Sequence, residues 1–135
     1  MKKVIGIAVG GMAGAVLRYW IRNLDMNDLP WDTLIVNVTG SLLLAFLLTL
    51  ALEKTRLSVE LQSGLTVGFL GAFTTFSAIC QEYVTFFSGG QTLLAVLYMA
   101  ATVALGIAAT FAGWRLARRL SSRDDAIPSD EEDID

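Results

Sequence analysis

The chain has 135 residues, 54% of them hydrophobic and 17% charged, with a formal net charge of -3. That is a membrane composition rather than that of a soluble domain. There is no histidine and one cysteine, Cys80. These counts exclude an intrachain disulfide framework, a His/Cys zinc or haem site, and Ser-His-Asp or Cys-His catalytic machinery. An enzyme of the common kinds is not expected, and neither is a nucleic-acid partner.

Residues 33–52, 61–81 and 83–114 contain no Asp, Glu, Lys or Arg. About 20 apolar residues in a helix cross a hydrocarbon core of about 30 Å. Residues 4–21 form a further apolar run up to Arg18. The predicted architecture is an all-α membrane protein with spans at about 4–22, 33–52, 61–87 and 92–116. Residues 1–120 form one transmembrane domain, with no soluble catalytic domain.

In the first span Gly6, Gly10 and Gly14 recur every four residues. Such a row lets two membrane helices approach closely. The start "MKKVIGIAVGGMAGAV" also has the form of a signal peptide with an Ala13-x-Ala15 site. Cleavage there would discard the glycine row, so a retained span is preferred. Arg18 sits beside Tyr19 and Trp20 near the helix end. Two roles are open to it: snorkelling to the headgroups, or drawing anions to a vestibule. Residues 25–31, "DMNDLPW", read as a linker with Trp31 as an interfacial aromatic.

The second span carries Asn37 in "TLIVNVTGSL". A buried amide in lipid is costly unless partnered. It could bond a neighbouring helix, or present its NH₂ donors to a passing anion. Residues 53–60, "EKTRLSVE", form a short charged loop.

The third span contains "GFLGAFTTFSAI" at 68–79. Two glycines, two threonines and a serine weaken a helix where water is scarcest. Interrupted helices survive in a membrane only when buried in protein or lining a cavity. There, freed carbonyls bind cations and half-helix amide ends face anions. Gly71, Thr74, Thr75 and Ser77 supply the interruption and the hydroxyls, flanked by Phe73 and Phe76. An aromatic ring is positive at its edge, so Phe76 could face an anion. A merely bent helix with hydroxyls bonded to its own carbonyls is the competing explanation. Gly64 and Gly68 form a second small-residue row, and Glu82 ends the span at an interface or a pore mouth.

"SGGQ" at 88–91 predicts a tight turn. On the fourth span Tyr98, Thr102, Gly106 and Thr110 fall four residues apart, a polar stripe suited to an anion path or to helix–helix bonding. "WRLARRL" gives a basic interfacial end. Residues 121–135 are acidic and read as a disordered, solvated cytoplasmic tail.

With four spans, both termini and the 53–60 loop share a side. It holds Lys2, Lys3, Lys54, Arg56, Arg115, Arg118, Arg119 and Arg123, against Arg18 and Arg22 opposite. The positive-inside rule then puts both termini in the cytoplasm, in a multi-pass protein of the cell membrane.

"GGMAGAVLRY" (10–19), "TLIVNVTGS" (33–41) and "GFLGAFTTFS" (68–77) together resemble the Fluc fluoride-channel family, also called CrcB proteins. The resemblance implies four-helix subunits paired antiparallel, with two fluoride pores along the dimer interface. It also implies a structural sodium ion at the third helices, each broken at mid-membrane. On this chain, Gly71 and Thr74 would offer carbonyls to sodium. Asn37, Thr75, Phe76 and Ser77 would line the fluoride pore, with Tyr98 and Thr102 as the polar track and Arg18 and Glu82 at the vestibules. Two positions depart from the family pattern. Ile79 stands where a second pore phenylalanine is expected, and an alkyl group has no positive edge. Gly106 replaces a hydroxyl residue.

The implied function is passive fluoride export that limits fluoride toxicity. The lopsided Lys/Arg distribution argues for one insertion direction, hence for pairing with an oppositely oriented homologue rather than a second copy of the chain. Two alternatives are a non-conducting partner in a heterodimeric channel and a small multidrug antiporter. The antiporter would need an acidic residue inside a span, and the first span has none.

Overall fold

A computed structural model describes residues 1–23, 30–53 and 58–124. It is all-helical over these residues: α1 (Lys2–Arg22), α2 (Trp31–Glu53), α3 (Val59–Ser63), a π-helical stretch Gly64–Leu70, α4 (Gly71–Phe73), α5 (Phe76–Ser88) and α6 (Thr92–Asp124). Among the described residues four helical segments are long and apolar enough to cross a membrane: Lys2–Arg22, Trp31–Glu53, Val59–Ser88 and Thr92–Ser122. The chain is therefore a membrane protein by architecture.

Element ends follow local chemistry. Ser58 caps α3 by accepting from the Leu61 amide, with Glu60 in the positive first turn. After α5, Gly90 takes φ 77°. The Gln91 amide donates to Phe86 O and the Gly90 amide to Phe87 O, closing the helix in a Schellman turn that needs a glycine. The expected turn at 88–91 is present. Several boundaries differ from expectation: Glu53 belongs to α2, and Val59 and Glu60 to α3, so helix enters both ends of the expected 53–60 loop. Trp31 opens α2 instead of ending the linker, because helical bonding begins at Pro30, whose carbonyl accepts from Leu34 N. The fourth helix continues to Asp124 instead of stopping near 116. Gly113, Ala117 and Ser121 form a buried stripe there, and Arg118 pairs with Glu53 at 3.4 Å. The first four residues of the expected tail are thus helical. Linker residues 24–29, loop residues 54–57 and tail residues 125–135 lie outside the described residues.

The helices form two close pairs. α2 packs along α6, and α1 packs on the third span, chiefly its π-helical stretch. Small residues make both approaches. A Cβ on Gly10 would run into Gly64 O, one on Gly14 into Phe69 O, and one on Gly113 into Leu42 O. Lipid offers no hydrophobic drive for association, so such backbone-close packing holds the helices together. Val36, Leu70 and Phe73 form the core between the pairs, with Ile21, Leu44, Leu47 and Phe69 against it. Phe69 and Phe73 stack with centroids 5.8 Å apart.

Candidate functional site

The third span changes conformation at two residues. Thr74 has φ -78° and ψ 154°. Thr75 has φ -151° and ψ 122°. Both are extended, and helix resumes at Phe76. Thr74 still donates its amide to Leu70 O at 3.0 Å, the last helical bond before the extended pair.

Asn37 of α2 holds this point by two bonds to one residue. Its Oδ1 accepts from Thr75 N at 2.8 Å, and its Nδ2 donates to Thr75 O at 3.0 Å. The backbone fixes the amide's orientation, since an N–H must meet the oxygen and a carbonyl the nitrogen. One Nδ2 hydrogen is left over from this pair of bonds. Beyond it, Thr75 Oγ1 accepts from Ala78 N at 3.4 Å and caps α5.

These substitutions release carbonyls. The Thr75 amide serves Asn37 instead of Gly71 O, and the Ala78 amide serves Thr75 Oγ1 instead of Thr74 O. In an unbroken helix both carbonyls would have had those amides as partners. Carbonyl oxygens of this kind suit hard cations. Among the described residues no group of three His, Cys, Asp or Glu side chains could hold a metal. Oxygen donors at this point are the freed backbone carbonyls and the hydroxyls of Thr74, Thr75 and Ser77.

A groove of about 620 Å³ opens at the same place between α2, the interrupted span and α6. Of the residues expected at the site, Asn37, Gly71, Thr74, Thr75, Phe76, Ile79 and Thr102 line it. Phe76 is 67% exposed, so its ring meets little of its own chain, whereas Ile79 is only 6% exposed. Ser77 lies outside the lining and pairs with Thr75 Oγ1 at 3.1 Å. Tyr98 also lies outside it, on the same stripe as Thr102 but turned to Glu82. Its hydroxyl donates to Glu82 Oε2 at 2.5 Å. Arg18 is on α1, away from the groove lining.

Glu82 does not end the span as expected: it stands midway along α5, which continues to Ser88. Its Oε1 also accepts from Thr33 Oγ1 at 2.5 Å, so one carboxylate ties α5 to α2 and α6. The hydroxyls of the fourth helix are committed too. Thr102 donates to Tyr98 O at 2.8 Å and Thr110 to Gly106 O at 2.9 Å. Each can turn from its own carbonyl to another acceptor by rotation about χ1.

Sequence reasoning assigned nothing to Thr33 or Ser41. Thr33 opens a charge-free run and gave no signal of its own. Ser41 stands four residues after Asn37, one turn along the same face, and that spacing was available.

The fold and this groove define a small four-span membrane protein whose largely apolar cleft carries an amide and several hydroxyls beside the extended residues Thr74 and Thr75. The family model described as CrcB-like protein, Camphor Resistance (CrcB), matches residues 5–114. The chain belongs to that family. Among curated relatives it is 41% identical over 124 residues to a Rhizobium etli protein, covering 89% of this chain and 99% of the relative. A Geobacter sulfurreducens protein is 41% identical over 124 residues, covering 89% and 100%. A Rhizobium meliloti protein is 38% identical over 124 residues, covering 89% and 99%. All three are named fluoride-specific ion channel FluC.

Proposed function

We propose that the chain is a subunit of a fluoride-selective channel, not an enzyme, and that it sits in the cell membrane with both termini cytoplasmic. The observation that carries this is the two-point bond from Asn37 to the extended Thr75. It holds the extended break in the third span beside a groove lined by hydroxyl, amide and aromatic groups among aliphatic side chains. The FluC names of relatives about 40% identical point the same way.

Fluoride is small and strongly hydrated, so a pore must replace its water with donors. The spare Nδ2 hydrogen of Asn37, the threonine hydroxyls and the Phe76 ring edge supply them in succession. Each is moderate, so the ion can both enter and leave. Transport is passive. A membrane potential negative inside drives an anion outward by about 2.3 kcal/mol per charge per 100 mV.

The exposed Phe76 and the open groove suit a second subunit lying antiparallel across this face. Two carbonyls from each of two chains, at Gly71 and Thr74, would then surround a sodium ion. Sodium would supply a fixed positive charge bridging the subunits. The Lys/Arg distribution favours an oppositely inserted homologue as that partner. Ile79 in the groove lining favours pores of unequal competence, one of them non-conducting.

Fluoride-electrode recording of efflux from liposomes tests the function. The chain is reconstituted alone and with an oppositely inserting homologue. Fluoride efflux well above chloride efflux is expected in at least one case. Equal leakage of both ions, or of neither, contradicts it.

A further inference from the structure

The polar stripe of the fourth helix has a gap. Thr102 and Thr110 line the groove, but Gly106 between them has no side chain. Eight residues of helix separate the two hydroxyls by about 12 Å. An anion stripped of water would have no hydroxyl over the middle of that distance.

Glycine at 106 is not imposed by packing. A Cβ built there meets nothing nearer than Ser41 Oγ, at 3.8 Å, an ordinary contact. At Gly113, on the same helix, a Cβ would strike the Leu42 backbone. Gly113 lets α2 come close, whereas Gly106 leaves open space on the groove wall. Ser41 of α2 faces that space and lines the same groove. Its hydroxyl donates to Asn37 O at 2.8 Å. That is the one-turn-back bond Thr102 and Thr110 also make, and χ1 rotation exchanges it for another acceptor.

We propose that Ser41 supplies, from the second helix, the hydroxyl that the fourth-helix stripe lacks at Gly106, so that the anion path runs Thr102, Ser41, Thr110 across two helices. This rests on the channel function proposed above. It makes Ser41 a pore residue that binds the permeating anion directly.

Ser41→Ala, Gly106→Ser and the double variant are compared with the wild-type full chain by initial fluoride efflux from liposomes. The pairing is the one that gives wild-type efflux. A hydrogen bond to a charged group has the strength of roughly a tenfold effect. Ser41→Ala is therefore expected to slow efflux about tenfold. Adding Gly106→Ser is expected to restore it to within about twofold, because the hydroxyl returns to the same wall from the other helix. Ser41→Cys fills the position with a slightly larger group that donates weakly, and it should be slow as well. Because a side chain at 106 also packs against position 41, Ser41→Ala with Gly106→Ala is the packing control: it fills the space without a donor and should stay slow, and rescue by it would overturn the assignment. Ser41→Ala efflux equal to wild type, or slow efflux from Ser41→Ala with Gly106→Ser that still folds by circular dichroism, overturns the assignment and leaves the channel standing. Absence of selective efflux from the wild type in every pairing removes the channel and this assignment together.

Discussion

Asn37 satisfies both backbone groups of Thr75, which lie outside any helical ladder. An unpaired amide or carbonyl out of contact with water costs on the order of 1–3 kcal/mol. Asn37→Ala should therefore lower thermal stability in detergent by about 2 kcal/mol or more and abolish selective efflux. Asn37→Asp keeps the acceptor for Thr75 N but sets a carboxylate against Thr75 O. It is expected to be at least as damaging to efflux, since it adds negative charge to an anion path. Glu82 makes a second residue-scale test. A carboxylate accepts from Thr33 and Tyr98 through two oxygens. Glu82→Gln turns an NH₂ toward one of those hydroxyls. A loss of about 1–3 kcal/mol is expected in a thermal unfolding scan, while Ser77→Ala, outside the groove lining, should leave the midpoint within a degree or two. Asn37 was legible because an amide in an apolar run demands a partner. That its partner is the backbone of Thr75 was not legible, because thirty-eight residues separate them and only helix packing sets the distance.

At the scale of elements, the third span is held by its neighbours. Its π-helical stretch lies against α1, where Gly10 meets Gly64 and Gly14 meets Phe69 across backbone contacts. Glycine spacing of four announced those contact faces, and charge-free runs announced the spans. The π-helical winding had no such signal, since the same residues suit an α-helix. The fourth helix outran its expected end because its later turns bury a small-residue stripe on α2, a reason that belongs to the neighbour and not to the basic sequence itself. At 33 residues it is about 50 Å long, well over the hydrocarbon thickness. Gly10→Ala is expected to push α1 off the third span, at a cost of about 1–3 kcal/mol or more. Gly106→Ala, by contrast, has room and should be close to neutral. Reversal of that order in paired unfolding measurements would contradict the packing described.

At the scale of the whole molecule, one chain exposes Phe76 and an open groove that its own helices do not cover. Eight Lys/Arg residues on one side against two on the other predict a single insertion direction. A terminal tag on the chain expressed alone should be reached by label from one face only. Equal labelling from both faces would favour a dimer of identical chains. The membrane class and the family pattern could be read in the sequence. What covers the groove could not, because a chain's own sequence does not specify what lies against it.

The most direct test is an experimental density map of the protein with its partner in a lipid nanodisc, in sodium. Two antiparallel chains are expected to meet at Gly71–Thr75, with Thr74 and Thr75 extended, Asn37 bonded to Thr75, and density between the facing carbonyls of Gly71 and Thr74. Continuous α-helix through residues 71–75, turned to lipid with no chain opposite, would contradict the account.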